Sequence, residues 1–323
     1  METRIATIER ITSTPAAFEE LTEAARDFIH ASRADATIRA YRTDMADFAG
    51  WCSDHAVESL PATPEAVALY LTDRASSCKA STLQRRITAI SQAHQAAGFD
   101  SPTATAIVRT VWRGIRRTVG TAYSQKSPAT VEVVRSMVAG LPPTVAGIRD
   151  RAVILLGFAG AFRRSELVAL DVEDLSFGPE GVTVTIRRSK TDQEGEGRKV
   201  GIPFGKKMQT CPVRALTAWM KEAGITTGPI FRAVTQRGNI AAGRLTDRAV
   251  ALIVKKAAEE VGFDPSTFAG HSLRAGLATS AAACGVAERD IMAQTGHTSE
   301  KMVRRYIRNG SIYRNNAAGA VGL

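Results

Sequence analysis

Five short motifs lie in chain order between positions 157 and 310, and they carry side chains that hold anions, move protons or attack electrophiles. GFAGAFRRSELVAL places Arg163 and Glu166 three residues apart, on one helix face. The apolar run before them marks a buried helix, so this turn emerges from the core. An arginine there, steadied by a carboxylate, can offer a planar fork to a phosphate. RRSKTDQEGEGRK puts Lys190 where a strand leaves into a turn, within reach of a leaving oxygen that needs a proton. HSLRAG sets His271 and Arg274 side by side on a helix. Such a pair can share one phosphoryl group, the histidine transferring a proton and the arginine stabilising charge. QTGHTS leaves His297 just before a helix that Thr298 or Ser299 can cap. EKMVRRYIRNG surrounds Tyr306 with Lys301, Arg304, Arg305 and Arg308. Positive neighbours ease loss of the phenolic proton, and the oxygen can then attack phosphorus.

Taken singly, each motif has a plainer reading: a surface Arg–Glu pair, a solvated turn lysine, a capping histidine, a histidine at a helix start, an aromatic anchor. Their order distinguishes them. R-x-x-E-L, a hairpin lysine, H-x-x-R, G-H and a tyrosine nine residues after that histidine resembles the tyrosine recombinase or phage integrase family, Cre- and Xer-like proteins among them. The resemblance covers the whole second half of the chain and, more loosely, the first. It implies a site-specific DNA strand transferase acting as a tetramer on two sites. It further implies that Arg163 and Arg274 clamp the non-bridging oxygens of the scissile phosphate and that His271 assists proton transfer. His297 would donate to the phosphate, Lys190 would protonate the departing 5′ oxygen, Tyr306 would form a 3′-phosphotyrosine link, and Glu166 would orient the group. Lys199 and Lys206 compete with Lys190, depending on hairpin register, and Tyr313 is the alternative nucleophile. Arg164 stands where the family commonly has an apolar residue. The rival readings are a type IB topoisomerase and a catalytically inactive site-specific DNA-binding protein. No metal or other cofactor is expected. Positive side chains can offset the charge of a pentavalent transition state, and a covalent link conserves bond energy. Neither a Walker-type G-x-x-x-x-G-K nor a carboxylate cluster occurs.

The elements that must position these groups are mostly helical. Ile38, Tyr41, Met45, Phe48 and Cys52 form one apolar stripe, and Leu83, Ile87, Ile90 and Ala97 another, with Ser81 or Thr82 as its cap. A further helix is expected over about 103–119, giving a four- or five-helix bundle over 16–119. GTAYSQKSPAT has no periodicity, which predicts a linker at 120–127 and a second domain over 128–323. That domain should open with helices near 130–140 and 146–159. Two short alternating strands follow, Val182–Val184–Ile186 and Val200–Ile202, joined by a polar hairpin. Helices return near 212–223, 244–262, 271–284, 287–296 and 299–307. The expected fold is mainly α with a small antiparallel sheet. By resemblance, the parts are a helical core-binding domain and an α+β catalytic domain.

Composition agrees with a nucleic-acid partner. The 323 residues carry a formal net charge of +10, and residues 121–323 hold all of it, because residues 1–120 contain 14 basic and 14 acidic side chains. An excess of that sign points to a polyanion, and no apolar run approaches the roughly 20 residues of a membrane span. With no membrane expected, the charge argues for nucleic acid, and the resemblance implies double-stranded DNA carrying a specific site. Candidate contacts in the first domain are Lys79, Ser81, Thr82, Gln84, Arg85 and Arg86 on one helix and Arg109, Arg113, Arg116 and Arg117 on the next. The two domains would close on the duplex as a C-shaped clamp. By resemblance, residues 311–323 would dock on a neighbouring subunit. Four scattered cysteines, without ligand spacing, read as free buried thiols in a reducing cytosol. A prokaryotic cytoplasmic protein, nucleoid-associated on DNA, is the expectation.

Overall fold

The computed structural model describes residues 21, 23, 24, 28, 34–120, 126–189, 192, 196–297, 299, 300, 303, 304 and 306. The chain divides into two units, Met1–Ser124 and Gln125–Leu323.

The first unit contains α1 (Asp35–Asp54), α2 (Pro64–Arg74), α3 (Ala80–Ala96) and α4 (Ala106–Val119). The apolar stripes meet as expected: Phe48, Trp51, Tyr70, Leu71, Leu83, Ile90, Val108 and Ile115 form one buried cluster. Thr63 caps α2 by accepting from Ala66 N, and Pro64 occupies the first turn, where its missing N–H costs nothing. Two boundaries differ from the sequence expectation. α3 begins after Lys79 with no side-chain cap, so Ser81 and Thr82 lie inside its first turn; the helix starts early because Ala80 and Leu83 both enter the core. α4 begins at Ala106, because Pro102–Ala104 forms a separate 3-10 turn. His94 is fully buried on α3 and uses both ring nitrogens: Nδ1–H donates to Ile90 O and Nε2 accepts from Ala62 N, each at 2.8 Å. It ties the α1–α2 connection to α3.

The second unit opens with α5 (Val131–Ala139), α6 (Val145–Ala159) and the short α7 (Arg164–Ala169). A three-stranded antiparallel sheet follows in the order β1 (Leu175–Gly178), β2 (Gly181–Ile186), β3 (Arg198–Pro203). Its register pairs Val182 with Ile202 and Val184 with Val200, so the alternating apolar residues share one buried face. α8 (Pro212–Glu222), the hairpin β4 (Arg232–Val234) and β5 (Ile240–Arg244), α9 (Asp247–Glu259), α10 (His271–Ala283) and α11 (Glu288–Thr295) complete the element order. Glu300, Val303, Arg304 and Tyr306 are helical.

The helix expected from 244 starts at Asp247, because Ile240–Arg244 pairs with β4 instead. α7 supplies the helix face expected for Arg163 and Glu166, whereas β1, β4 and β5 were not expected: they are short, and their side chains do not alternate cleanly. α6 is apolar all round because it is central, packing against α8 and α10, with Ala152 to Leu156 all buried. Burial of each large aliphatic there stabilises the unit by about 1.5–3 kcal/mol. Cys52 and Cys211 are free and buried, but Cys78 is only half-buried and Cys284 is exposed, at the end of α10, where no element covers it. Among the described residues no helix is long and apolar enough to cross a membrane.

Candidate active site

α6 ends at Gly160, and Ala161 turns the chain with a φ of 49°. Arg163 therefore leaves the core at the N-terminus of α7. Its backbone N–H donates to Glu166 Oε2 at 2.9 Å and its Nη1 meets Glu166 Oε1 at 2.5 Å. The Glu166 side chain is 1% exposed, so a buried carboxylate holds the guanidinium at the rim of the core. Arg274 approaches from the first turn of α10 and is completely buried. Its Nη1 donates to Ala161 O at 2.8 Å, whereas Nε and Nη2 are buried with no hydrogen-bond partner among the described residues. Burial, and then the charge of Arg163, pull its pKa down to about 10. A third arginine, Arg198 at the start of β3, places Nη2 3.5 Å from Glu166 Oε2. Arg163 and Arg198 thus share one carboxylate, and with Arg274 in the same site a local surplus of positive charge remains that an anion would offset.

Two imidazoles and a phenol face this surplus. His271 Nε2 lies 2.7 Å from Tyr306 Oη. The Tyr306 ring is 4% exposed and packs on Ala275, Ala278, Ala282, Ile291 and Val303, so α10 and α11 fix where its oxygen points. Although His271 keeps an exposed edge, desolvation of its ring, then Arg274, Arg163 and Arg164, hold its pKa below the ordinary histidine value. A neutral imidazole so placed can take the phenolic proton. His297 follows Gly296, which closes α11 in the left-handed region at φ 65°. The hydroxyl of Thr295 donates to Ile291 O at 2.7 Å and accepts from His297 Nδ1–H at 2.7 Å, which leaves Nε2 as the reactive nitrogen. Burial, then Arg274, Arg163, His271 and Arg198, push the His297 pKa down to about 3. The His297 and Tyr306 ring centroids are 5.9 Å apart.

Residues 127–311 match the Phage integrase family, and residues 28–98 match its N-terminal SAM-like domain. The chain belongs to the phage integrase family of tyrosine recombinases. It is 46% identical over 304 residues to an integrase/recombinase XerD homolog of Selenomonas ruminantium, covering 93% of this chain and 89% of that protein. It is 26% identical over 285 residues to the recombinase Cre of Escherichia phage P1, covering 81% and 80%. In fold it is similar to a lambda integrase dimer bound to a COC′ core site, with a TM-score of 0.63, 16% identity and coverage of 94% of this chain and 84% of that one. A XerH recombinase in a post-cleavage complex with palindromic difH gives a TM-score of 0.60 at 16% identity, covering 80% and 72%. The enzyme class is therefore DNA strand transfer in site-specific recombination.

Of the motif residues in this recombinase, Arg163, Glu166, Arg274, His271, Tyr306 and His297 stand together in the second unit. Lys190, Tyr313 and residues 311–323 lie outside the described residues. Lys199 and Lys206 are exposed. The hairpin that carries Lys190 is pinned at Ser189 and Asp192, whose backbones exchange two bonds of 3.2 Å. Arg164 turns outward, 41% exposed and 3.7 Å from Asp247, which accommodates its charge at a commonly apolar position. In the first unit Lys79, Ser81, Gln84, Arg109, Arg113, Arg116 and Arg117 are exposed and Thr82 half-buried. Arg85 makes a bidentate contact to buried Asp44, and Arg86, 12% exposed, bonds Asp47 and Tyr70 at 2.8 Å each. Sequence reasoning missed Arg198 and Thr295. The one available signal was a basic residue opening the second strand of the hairpin.

Proposed function

We propose that this recombinase attacks one phosphodiester with Tyr306 and, as a tetramer on two DNA sites, exchanges the strands between them. The observation that carries the reading is Tyr306 Oη held at 2.7 Å from His271 Nε2, beside an arginine with two buried, unpartnered N–H-bearing nitrogens. Leaving a charged donor buried without an acceptor costs several kcal/mol, and the non-bridging oxygens of a phosphodiester are suitable acceptors. In the first step the Tyr306 oxygen bonds phosphorus, its proton passes to His271, and the bond to the 5′ oxygen breaks. Lys190 supplies the proton that the departing oxygen needs. Arg163 and Arg274 hold the non-bridging oxygens, His297 donates to one of them, and Glu166 orients Arg163. A 5′ hydroxyl from the partner duplex then attacks the 3′-phosphotyrosine and releases Tyr306, so bond energy is conserved.

His297 acts only after gaining a proton or switching tautomer, since its Nδ1–H already serves Thr295. An arriving phosphate favours that protonation by its charge. The phosphate backbone would be gripped by the exposed arginines of α4, chiefly Arg113 and Arg117, with Lys79, Ser81, Thr82 and Gln84 at the start of α3 beside the duplex. The paired Arg85 and Arg86 would contribute less.

Nicked suicide duplexes covering the flanking DNA test the reading. A covalent protein–DNA adduct that vanishes in Tyr306→Phe supports it, and an adduct that survives transfers the role to another nucleophile, Tyr313 first. Efficient relaxation of a supercoiled plasmid without a cognate site would favour a topoisomerase instead.

A further inference from the structure

Arg198 lies inside the hairpin motif RRSKTDQEGEGRK but has no role in the chemistry assigned there, yet three parts of the site converge on it. Its Nη2 faces Glu166 Oε2 at 3.5 Å, while Arg163 Nη1 holds the other carboxylate oxygen. Its Nη1 donates to Gln294 O at 3.2 Å, in the last turn of α11. The guanidinium lies against Gly296: a Cβ built there would come within 2.8 Å of Nε and 2.9 Å of Cζ. Glycine at 296 therefore serves two needs, the left-handed turn before His297 and the seat of this arginine. Arg198 also pairs with Ile186 across β2 and β3, at the base of the hairpin that carries Lys190. A cavity of about 300 Å³ separates the hairpin from α11, with Ser189, Asp192, Arg198, Met292 and His297 among its walls.

We propose that Arg198 is a positioning residue of the recombination site, bracing Glu166 beneath Arg163 and fixing the Gly296–His297 turn relative to the lysine hairpin. An arginine suits this task because its planar fork reaches a carboxylate and a carbonyl together, which a lysine's single ammonium does not. Nη1 is taken by Gln294 O and Nη2 stands at ion-pair distance from Glu166, while Nε and Nη2 make no hydrogen bond among the described residues; the role assigned to Arg198 is to act through Glu166 and the Gly296–His297 turn that it touches. This inference rests on the phosphotyrosine reading above.

The test is single-turnover adduct formation by the full chain on a suicide duplex, with Arg198→Met and Arg198→Lys beside wild type. Both variants are expected to bind the site within about twofold of wild type yet form adduct on the order of 10–100-fold more slowly, since small misplacements of catalytic groups have effects of that size. A methylphosphonate at the scissile position, which removes one phosphate charge, should restore activity to Arg163→Met but not to Arg198→Met. Gly296→Ala should slow the reaction too, and the double variant should be no slower than the worse single one. Wild-type rates in Arg198→Met, rescue by the methylphosphonate, full activity in Arg198→Lys, loss of site binding or additive effects with Gly296→Ala would each overturn the proposal. Tyr306→Phe, run alongside, reports separately on the nucleophile.

Discussion

Arg274→Met should leave the free protein as stable as wild type, or more so, while nearly abolishing cleavage. Arg274 is fully buried, and desolvation, then Arg163, draw its pKa below the ordinary arginine value to about 10. At about 1.36 kcal/mol per unit, holding it charged in the fold costs roughly 3 kcal/mol relative to the unfolded chain. Its bond to Ala161 O at 2.8 Å offsets part of that, and exposing this carbonyl to an apolar neighbour costs about 1–3 kcal/mol. Methionine keeps most of the stem volume. The net change in unfolding free energy in the absence of DNA is then about 0 to +2 kcal/mol in favour of the variant. Because the folded pKa lies below the unfolded one, the wild-type penalty is complete below about pH 10 and fades as pH rises from there toward the ordinary arginine range. Removing one charge-stabilising donor group should slow adduct formation by on the order of 10²–10³. Urea unfolding with and without cognate DNA, together with suicide-substrate kinetics, measures both effects. DNA should stabilise wild type more than the variant. A variant less stable than wild type by more than about 2 kcal/mol without DNA, or one that cleaves within about tenfold of the wild-type rate, refutes the reasoning.

Other outcomes follow from the same geometry. His297 has a folded pKa near 3 against 6.5 unfolded, so stability should fall as pH drops through 6.5 toward 3; His297→Gln should flatten that slope in pH-dependent unfolding, and an unchanged slope counts against its burial. Arg113→Ala with Arg117→Ala should weaken binding and reduce the log–log salt slope by about 1.8, measured by titration at several ionic strengths. Arg86→Ala should first destabilise the fold, by about 1–3 kcal/mol in chemical unfolding, because it strips partners from Asp47 and Tyr70. Gly276→Ala puts a methyl 1.8 Å from Ala129 O, so a loss of about 1–3 kcal/mol or more is expected by the same measurement.

Much of the site was readable along the chain because its chemistry is local in sequence. Arg163 with Glu166, His271 with Arg274, and Gly296 with His297 are each set by one helix or one turn, and the order of such pairs identifies the family. The long helices were equally legible, since a 3.6-residue apolar stripe repeats often enough to be seen. The short strands β1, β4 and β5 were not, because four or five residues hold too few alternations. At Arg85 and Arg86 the linear pattern was incomplete: two adjacent arginines read as a basic patch, and only packing of α3 on α1 brings them against Asp44 and Asp47, with the Arg85 side chain still half-exposed.

The residue types and spacing alone pointed to the reaction class of this chain and to the side chains proposed to carry it. Tertiary structure decided how those side chains are charged and held. Arg274 is unremarkable in HSLRAG and becomes a strained cation only when α6 and α10 close over it. His297 gains its depressed pKa first from burial and then from Arg274, Arg163, His271 and Arg198, which lie far from it along the chain. Arg198 reaches the site only because the β2–β3 register and the end of α11 meet at Glu166. Desolvation and through-space charge depend on distance in three dimensions, and a sequence records distance in one.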